Sequence, residues 1–344
     1  MSTVLFRCPG KRGLGHVVRA ANVAHALREL DLAVRPVIYT RGAAAANIAG
    51  PTIECVVERD PETLAGWSAL VAVEQPAAVV DDTMLPDDAL PPGGERARRV
   101  YVMRRSREGR HETVVESAAV RACDLILIPH DRAEFGYDLP AEVSERAVFT
   151  GPIIRRPQEA DVAAIRRRYG AEGAFLLVST VGGGGFADTA ANLFAIAFEA
   201  EAALRSRLAT LRHVVVRGPN YRGQLPEGEG RTVVEFEPAM TALLATADLV
   251  VAEGGYNTVN EIRLVAAPTA FVPGRRHWDD QELRVAELAG QGLGVVAEAA
   301  ADVVALALDN ERRAVLRKAL AAARPEPGNR RAAEAILRCI QTPR

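Results

Sequence analysis

The sequence predicts an α/β fold of two doubly wound parallel-sheet domains facing a central cleft, and three observations carry that expectation. Short apolar runs without polar alternation recur along all 344 residues, as strands buried on both faces of a parallel sheet require. Helical patterns such as HVVRAANVAHALREL (16–30) separate them, giving the strand–helix alternation of such sheets. The rhythm then occurs twice, with Gly151, Pro152 and Pro157 marking the break between its two halves.

In the first half, TVLFRC (3–8), RPVIYT (35–40), TIECVV (52–57), AAVVDD (77–82), RRVYVM (98–103), DLILIP (124–129) and AVFTG (147–151) read as strands. Each carries β-branched or aromatic residues, and most end at a polar residue or a chain breaker. GPIIRRPQEADVAAIRRRYG (151–170) interrupts the pattern, and a fresh helix begins near Gln158. The second half resumes with AFLLVST (174–180), RHVVVRG (212–218), TVVEFE (232–237), DLVVAE (248–253), PTAFVP (268–273) and LGVVAE (293–298). The expected domains are 1–155 and 156–325. The remainder, 326–344, holds an amphipathic segment (329–340) that either caps the second domain or crosses back onto the first.

The 42 basic and 44 acidic residues give a formal net charge of −2, so no overall field marks a nucleic-acid or anionic-membrane partner. Cys8, Cys55, Cys123 and Cys339 are far apart and form no CxxC pair. That spacing argues against a zinc site or a disulfide framework and predicts reduced thiols. The start, MSTVLFRCPGKRG, lacks a signal-peptide pattern, and no apolar run approaches the roughly 20 residues of a membrane-spanning helix. A cytoplasmic protein with no integral membrane segment is expected; the oligomeric state is not encoded in any visible pattern.

In open parallel sheets ligands bind beyond the carboxyl ends of the strands, so the residues that follow strands are the candidates. After the first strand, CPGKRGLGHVV supplies Gly10, Gly13 and Gly15 for a tight turn, with a helix N-terminus near His16. The spacing is not the dinucleotide GxGxxG and no acidic residue clearly ends the second strand, which disfavours NAD. His16, at the helix start, is the candidate base. Later strands are followed by Asp81 and Asp82, by Arg104 and Arg105, and by His130 and Asp131. Each set suits contacts to an acceptor and equally suits a helix cap or a surface ion pair.

In the second half Gly182 to Gly185 stand between a strand and a helix without the GK[ST] ending of a Walker phosphate loop. Four consecutive glycines cost backbone entropy that close approach of a ligand would explain. The stretch VVAEGGYNTVNEI (250–262) passes from an apolar run to a helix through Gly254 and Gly255, where exposed N–H groups and the helix dipole favour an anion such as a diphosphate. Glu261, about two turns into that helix, is suited to a pair of vicinal hydroxyls. Asp280 and Gln281 open a further helix with groups suited to sugar hydroxyls; Asp279 or Asp280 equally suits its N-cap.

These pieces in this order resemble the nucleotide-sugar glycosyltransferases of the GT-B fold, with two Rossmann-like domains. In particular they resemble family 28, which includes the peptidoglycan N-acetylglucosaminyltransferase, and bacterial glycosyltransferases with GLGH and GYNT motifs. The matching segments are GLGHVVRAANVAHAL, VGGGG, FEPAMTALLATADLVVAEGGYNTVNEI and VPGRRHWDDQELRVAEL. The resemblance implies a UDP-sugar co-substrate, no other cofactor, no metal, and a small-molecule acceptor. It assigns the uracil edge to Phe236 and Glu237, largely through their backbone, with Met240 packed behind. It assigns the diphosphate to Gly254, Gly255, Tyr256 and Asn257, aided by Gly183, Gly184 and Gly185. Glu261 would hold the ribose, and Asp280 with Gln281 the donor sugar. His16 with Asp82 would be catalytic, and Gly13, Gly15, Asp81, Arg104 and His130 would face the acceptor.

Two positions depart from the pattern: Glu253 stands where the peptidoglycan enzyme has a basic residue, and Asp280 replaces a glutamine. The first half has no long apolar segment, so a soluble acceptor is expected in place of a membrane lipid. The implied chemistry is inverting, metal-independent sugar transfer. A narrower resemblance, to the synthase joining glucuronic acid to cytosine in nucleoside-antibiotic assembly, would use Arg275 and Arg276, or Arg104 and Arg105, for a donor carboxylate. The alternatives are a nucleotide-sugar hydrolase, which shares the GHVxR loop from Gly15 to Arg19, a UDP-N-acetylglucosamine epimerase, and a non-catalytic nucleotide-sugar sensor.

Overall fold

The computed structural model describes residues 2–8, 14–42, 45–58, 65–82, 93–107, 109–274 and 279–343. It divides into two compact units, Met1–Ile154 with Glu326–Arg344, and Arg155–Pro325. Gly13, Arg275 and Arg276 fall outside the described residues.

The first unit is a seven-stranded sheet: β1 (Ser2–Cys8), β2 (Val34–Thr40), β3 (Glu54–Val57), β4 (Ala78–Asp82), β5 (Arg98–Val102), β6 (Leu125–Ile128) and β7 (Ala147–Phe149). Its order is β3-β2-β1-β4-β5-β6-β7, and every neighbouring pair is parallel. Side chains alternate across the sheet. Val4, Phe6 and Cys8 of β1 therefore join one core with the helix Gly15–Leu30, while Leu5 joins the other with Tyr39, Trp67 and Val79. Trp67 is fully buried edge-on against Tyr39, with ring centroids 5.2 Å apart.

The C-terminal helix Asn329–Gln341 belongs to this first unit. Its buried face, Ala332, Ala333, Ala335 and Ile336, completes the core formed by β1 and the helix Gly15–Leu30. Small residues at three of these four positions let the two helices approach closely. Burial of Ile336 alone is worth about 1.5–3 kcal/mol.

The second unit holds β8 (Phe175–Thr180), β9 (Leu211–Val216), β10 (Arg231–Val234), β11 (Leu249–Ala252), β12 (Thr269–Phe271) and β13 (Val295–Val296). Their order is β10-β9-β8-β11-β12-β13, again all parallel. The apolar run expected as a strand over 232–237 leaves the sheet after Val234, because Glu237 turns inward to buried partners described below.

In each sheet the chain runs outward one way from its first strand and then returns to the other side. The reversals fall between β1 and β4, and between β8 and β11. Such topological switch points leave a crevice beyond the strand ends where ligands bind. One crevice is flanked by the start of the helix Gly15–Leu30 and by Asp82, and the other by Gly182–Gly185 and by Gly254–Gly255. Among the described residues no helix is long and apolar enough to cross a membrane.

Candidate active site

At the first switch point His16 occupies the first turn of the helix Gly15–Leu30, and Asp82 ends β4. His16 Nδ1 lies 3.0 Å from Asp82 Oδ1. Arg19 reaches the same carboxylate from one turn further along the helix: its Nε donates to Oδ2 at 3.0 Å and its Nη2 to Oδ1 at 2.6 Å. Burial opposes ionisation of Asp82, but Arg19 and then His16 outweigh it and hold the carboxyl well below the usual range. The imidazole is pushed down by burial, an effect that Asp82 opposes and that Arg19 and Arg104 add to, so it is neutral at pH 7. An anionic Asp82 then fixes the tautomer with the proton on Nδ1. The 3.2 Å contact from Arg19 Nη2 to Nδ1 is accordingly packing, since both atoms are donors. Nε2, left with its lone pair, makes no hydrogen bond among the described residues. Cys8 lies beneath, its thiol 3.6 Å from the His16 carbonyl and raised by burial.

Asp81, expected at the acceptor, is instead a partner in internal ion pairs. Consecutive strand residues face opposite sides, so Asp81 points away from His16, and it has no exposed surface. Arg7 takes one of its oxygens and Arg99 Nη2 the other at 2.7 Å. His130, 7 % exposed, is a tie within the fold: its Nε2 accepts from the Arg105 N–H at 3.0 Å. That bond pins the loop after β5, from which Arg104 places its charge near His16.

In the second unit the glycines separate into different jobs. Gly254 has φ +89°, and a Cβ there would come within 2.4 Å of Val285 Cγ2, so only glycine fits both the turn and the packing. Gly255 has an ordinary φ of −59° and serves as N-cap of the helix Tyr256–Val265. Among the described residues a Cβ there meets nothing nearer than Gln281 Nε2 at 3.8 Å. At Gly184 (φ +69°) the close neighbour is the protein itself, for a Cβ would strike the Arg217 carbonyl at 2.5 Å and Tyr221 at 2.9 Å. The Asn220 N–H also donates to the Gly183 carbonyl at 3.1 Å. Part of the glycine run thus packs two loops together.

Glu261 faces the opposite situation from Asp82. It is half-buried, and among the described residues it has no hydrogen bond or ion pair. Burial alone raises its carboxyl to about 7. Asp280 is the N-cap of the helix Gln281–Gly290, its Oδ1 accepting from the Leu283 N–H at 3.1 Å. Gln281 is buried, with Oε1 accepting from the Gly274 N–H at 3.3 Å and Nε2 turned towards Gly255. Glu253 is buried and accepts from Thr189 Oγ1 at 2.9 Å, a partner on the helix Ala187–Arg205. Tyr256 is buried and Asn257 half-buried in the first turn after Gly255.

Glu237 also turns inward. It accepts from Tyr169 Oη at 2.5 Å, from Arg168 Nη1 at 3.0 Å and from the Ala239 N–H at 2.9 Å. Only its backbone remains for a ligand. Phe236 and Met240 are half-buried on either side.

Sequence reasoning gave no structural role to Arg19 or Arg284. The signal was present as spacing: Arg19 is three residues beyond His16 and Arg284 three beyond Gln281, which puts each on the same helix face as its neighbour. Arg284 Nη1 donates to the Gly254 carbonyl at 3.0 Å and Nη2 to Asp279 Oδ1 at 2.5 Å.

Residues 180–335 match the glycosyltransferase family 28 C-terminal domain. In fold the chain is similar to the glycosyltransferase of kitacinnamycin, at 18 % identity over 98 % of each chain with a TM-score of 0.60. It is similar to the spinosyn forosaminyltransferase, at 16 % identity over 98 % of this chain and 99 % of the other, also with a TM-score of 0.60. A Listeria monocytogenes protein described as a UDP-N-acetylglucosamine 2-epimerase gives 13 % identity over 98 % and 95 %, with the same score. No curated protein sequence matches significantly. The fold class is GT-B, and the match in the second unit covers the glycine turn, Glu261, Asp280 and Gln281.

Proposed function

We propose that this chain, with its GT-B fold and a family 28 match over the second unit, transfers a sugar from a UDP-sugar to a small soluble acceptor with inversion at the anomeric carbon. One observation carries the donor half: a single helix begins at the open Gly255 N–H and bears, at Glu261, a half-buried carboxylate with no partner among the described residues. An unpaired carboxylate in a desolvated place is costly unless a ligand supplies donors. The two vicinal hydroxyls of a ribose do so, and a diphosphate placed at the helix N-terminus meets unsatisfied N–H groups and the positive end of the dipole. Asp280 and Gln281 begin the next helix beside this turn and suit the sugar hydroxyls.

His16 Nε2 then takes the acceptor proton as the acceptor attacks the anomeric carbon, and Asp82 stabilises the imidazolium that forms. The bond from that carbon to the diphosphate oxygen breaks, and its electron pair leaves with UDP. The Gly255 N–H and the helix dipole meet the developing charge, which removes the need for a metal ion. Two fold neighbours are named as the glycosyltransferase of kitacinnamycin and the spinosyn forosaminyltransferase, which favours a small acceptor. UDP-glucuronate with a cytosine acceptor is the narrower candidate.

Calorimetry with UDP, followed by thermal shift with UDP-glucose, UDP-N-acetylglucosamine and UDP-glucuronate, tests the donor. A saturating donor at 100 times its dissociation constant raises stability by about 2.7 kcal/mol. Failure of the wild type to bind UDP overturns the reading. Free sugar released without an acceptor, or epimerised donor, would transfer the same site to the hydrolase or epimerase class.

A further inference from the structure

Arg284 has none of the roles given above, yet it touches two of the segments that carry them. It sits in the first turn of the helix Gln281–Gly290, with Nη1 3.0 Å from the Gly254 carbonyl oxygen. Nη2 is 2.5 Å from Asp279 Oδ1, Nη1 is 3.4 Å from Asp279 Oδ2, and the guanidinium lies 5.8 Å from the centroid of the Tyr256 ring. We propose that Arg284 is the positioning residue of the diphosphate seat: it holds the Gly254 carbonyl and so aims the Gly255 N–H at the leaving phosphate. The proposal rests on the donor-site reading above.

Within one trans peptide the C=O and N–H point in opposite directions, and no described peptide here is cis. Anchoring the Gly254 oxygen on Arg284 therefore turns the Gly255 N–H away from that helix, and this N–H finds no acceptor among the described residues. A glycine–glycine peptide is where such an orientation is least secured by sterics, since neither residue has a Cβ to resist rotation. Turned over, the same peptide would present a carbonyl to the diphosphate and repel it. Val285 fills the space where a Gly254 side chain would be, which fixes where the turn sits but not which way its peptide faces. The arginine fork supplies the missing direction. Asp279 neutralises the guanidinium, so Arg284 acts by orientation and adds no free charge that would hold the UDP product. Since the proposal puts the leaving, second phosphate on the oriented N–H, the seat should favour a nucleoside diphosphate over a monophosphate.

The test measures UDP and UMP affinity by calorimetry in the wild type, Arg284→Met, Arg284→Lys, Asp279→Asn and the double variant Arg284→Met/Asp279→Asn, with folding checked by circular dichroism. Methionine keeps the stem packed and removes the fork. UDP affinity is expected to fall roughly tenfold or more in Arg284→Met, the scale of one hydrogen bond to a charged group, with UMP affinity unchanged. The preference for UDP over UMP therefore collapses. Lysine restores part of it, and Asp279→Asn, which loosens the fork but leaves it, lowers the preference less. If the loss in Arg284→Met came merely from an exposed Asp279 charge, the double variant would regain wild-type preference; such recovery overturns the proposal, and continued loss supports it. A folded Arg284→Met with wild-type preference overturns it as well. Failure of the wild type itself to bind UDP overturns both the proposal and the donor-site reading.

Discussion

Each unit contains a histidine hydrogen-bonded through Nδ1 to a carboxylate and flanked by arginine, at 3.0 Å in the first and 2.6 Å in the second. In the first, His16, Asp82 and Arg19 meet at a strand end, with the His16 side chain 19 % exposed. In the second, Ser179 Oγ donates to His213 Nε2 at 2.6 Å, and His213 Nδ1 lies 2.6 Å from Glu201 Oε2. Arg231 Nε adds a bond to Glu201 at 2.7 Å, and Arg205 a further one at 3.1 Å. By spacing alone the serine, histidine and glutamate form a hydrolytic triad. All three are completely buried, so no substrate reaches the serine. The same bonds leave one imidazole reachable at a strand end and seal the other inside a core; access separates the two.

That contrast predicts opposite phenotypes. His16→Ala should lower turnover by about 10²–10⁴, the range for a general base, while UDP affinity by calorimetry stays within about twofold. A substantial loss of UDP affinity would show that His16 shapes the donor site. Glu201→Ala should do the reverse. Burial opposes ionisation of Glu201, but hydrogen bonds from His213 and Arg231 hold its carboxyl at about 2, so it is charged and its partners depend on it. Breaking such a network costs about 3–5 kcal/mol, or roughly 6–20 °C in Tm for a unit of this size, with turnover per folded molecule preserved. Loss of turnover without loss of Tm would mean that the sealed cluster has a catalytic part.

The sequence made the fold class legible because buried parallel strands leave apolar runs, and each of the thirteen runs overlaps a strand. The candidate site was legible only to the level of segments. Asp81 and Asp82 are equal as letters, and only the pleat decides that one faces His16 and the other faces Arg7 and Arg99. Four glycines signal that something comes close without saying whether it is a ligand or Tyr221. The amphipathic pattern of 329–340 shows that a face is covered and does not name the covering core, which is the one beneath β1. The Ser179–His213–Glu201 cluster gave no signal at all, since its members lie on two strands and a helix with no shared motif.

A second contrast, between Asp82 with partners on both oxygens and Glu261 with none among the described residues, yields the next effect in size. Glu261→Ala should weaken UDP roughly 10–100-fold, as expected when an ionised acceptor of ribose hydroxyls is removed, and should weaken uridine comparably. In the wild type, hydroxyl donors favour the ionised carboxylate, so UDP affinity should rise from pH 6 to pH 8 as a carboxyl near 7 gives up its proton. Affinity independent of pH over that interval, or unchanged uridine binding in the variant, would remove Glu261 from the ribose.

The smallest effect is on the stability of the ligand-free protein, and its sign is the opposite of the usual carboxylate case. Burial raises Glu261 from 4.5 to about 7 in the fold. Between those values the unfolded chain has released a proton that the native state retains. The native state therefore binds more protons, and stability falls as pH rises through this window before levelling above pH 7. Asp82, held low by Arg19 and His16, contributes stability that is complete above its unfolded value and is lost only in strong acid. Glu261→Gln removes the falling limb while keeping the shape of the side chain. Its Tm should exceed that of the wild type more at pH 8 than at pH 5, by about 2–4 °C for an effect on the order of 1 kcal/mol at a half-buried group. A difference that is equal at both pH values would mean that Glu261 has a partner in solution, and the proposed ribose contact would lose its support.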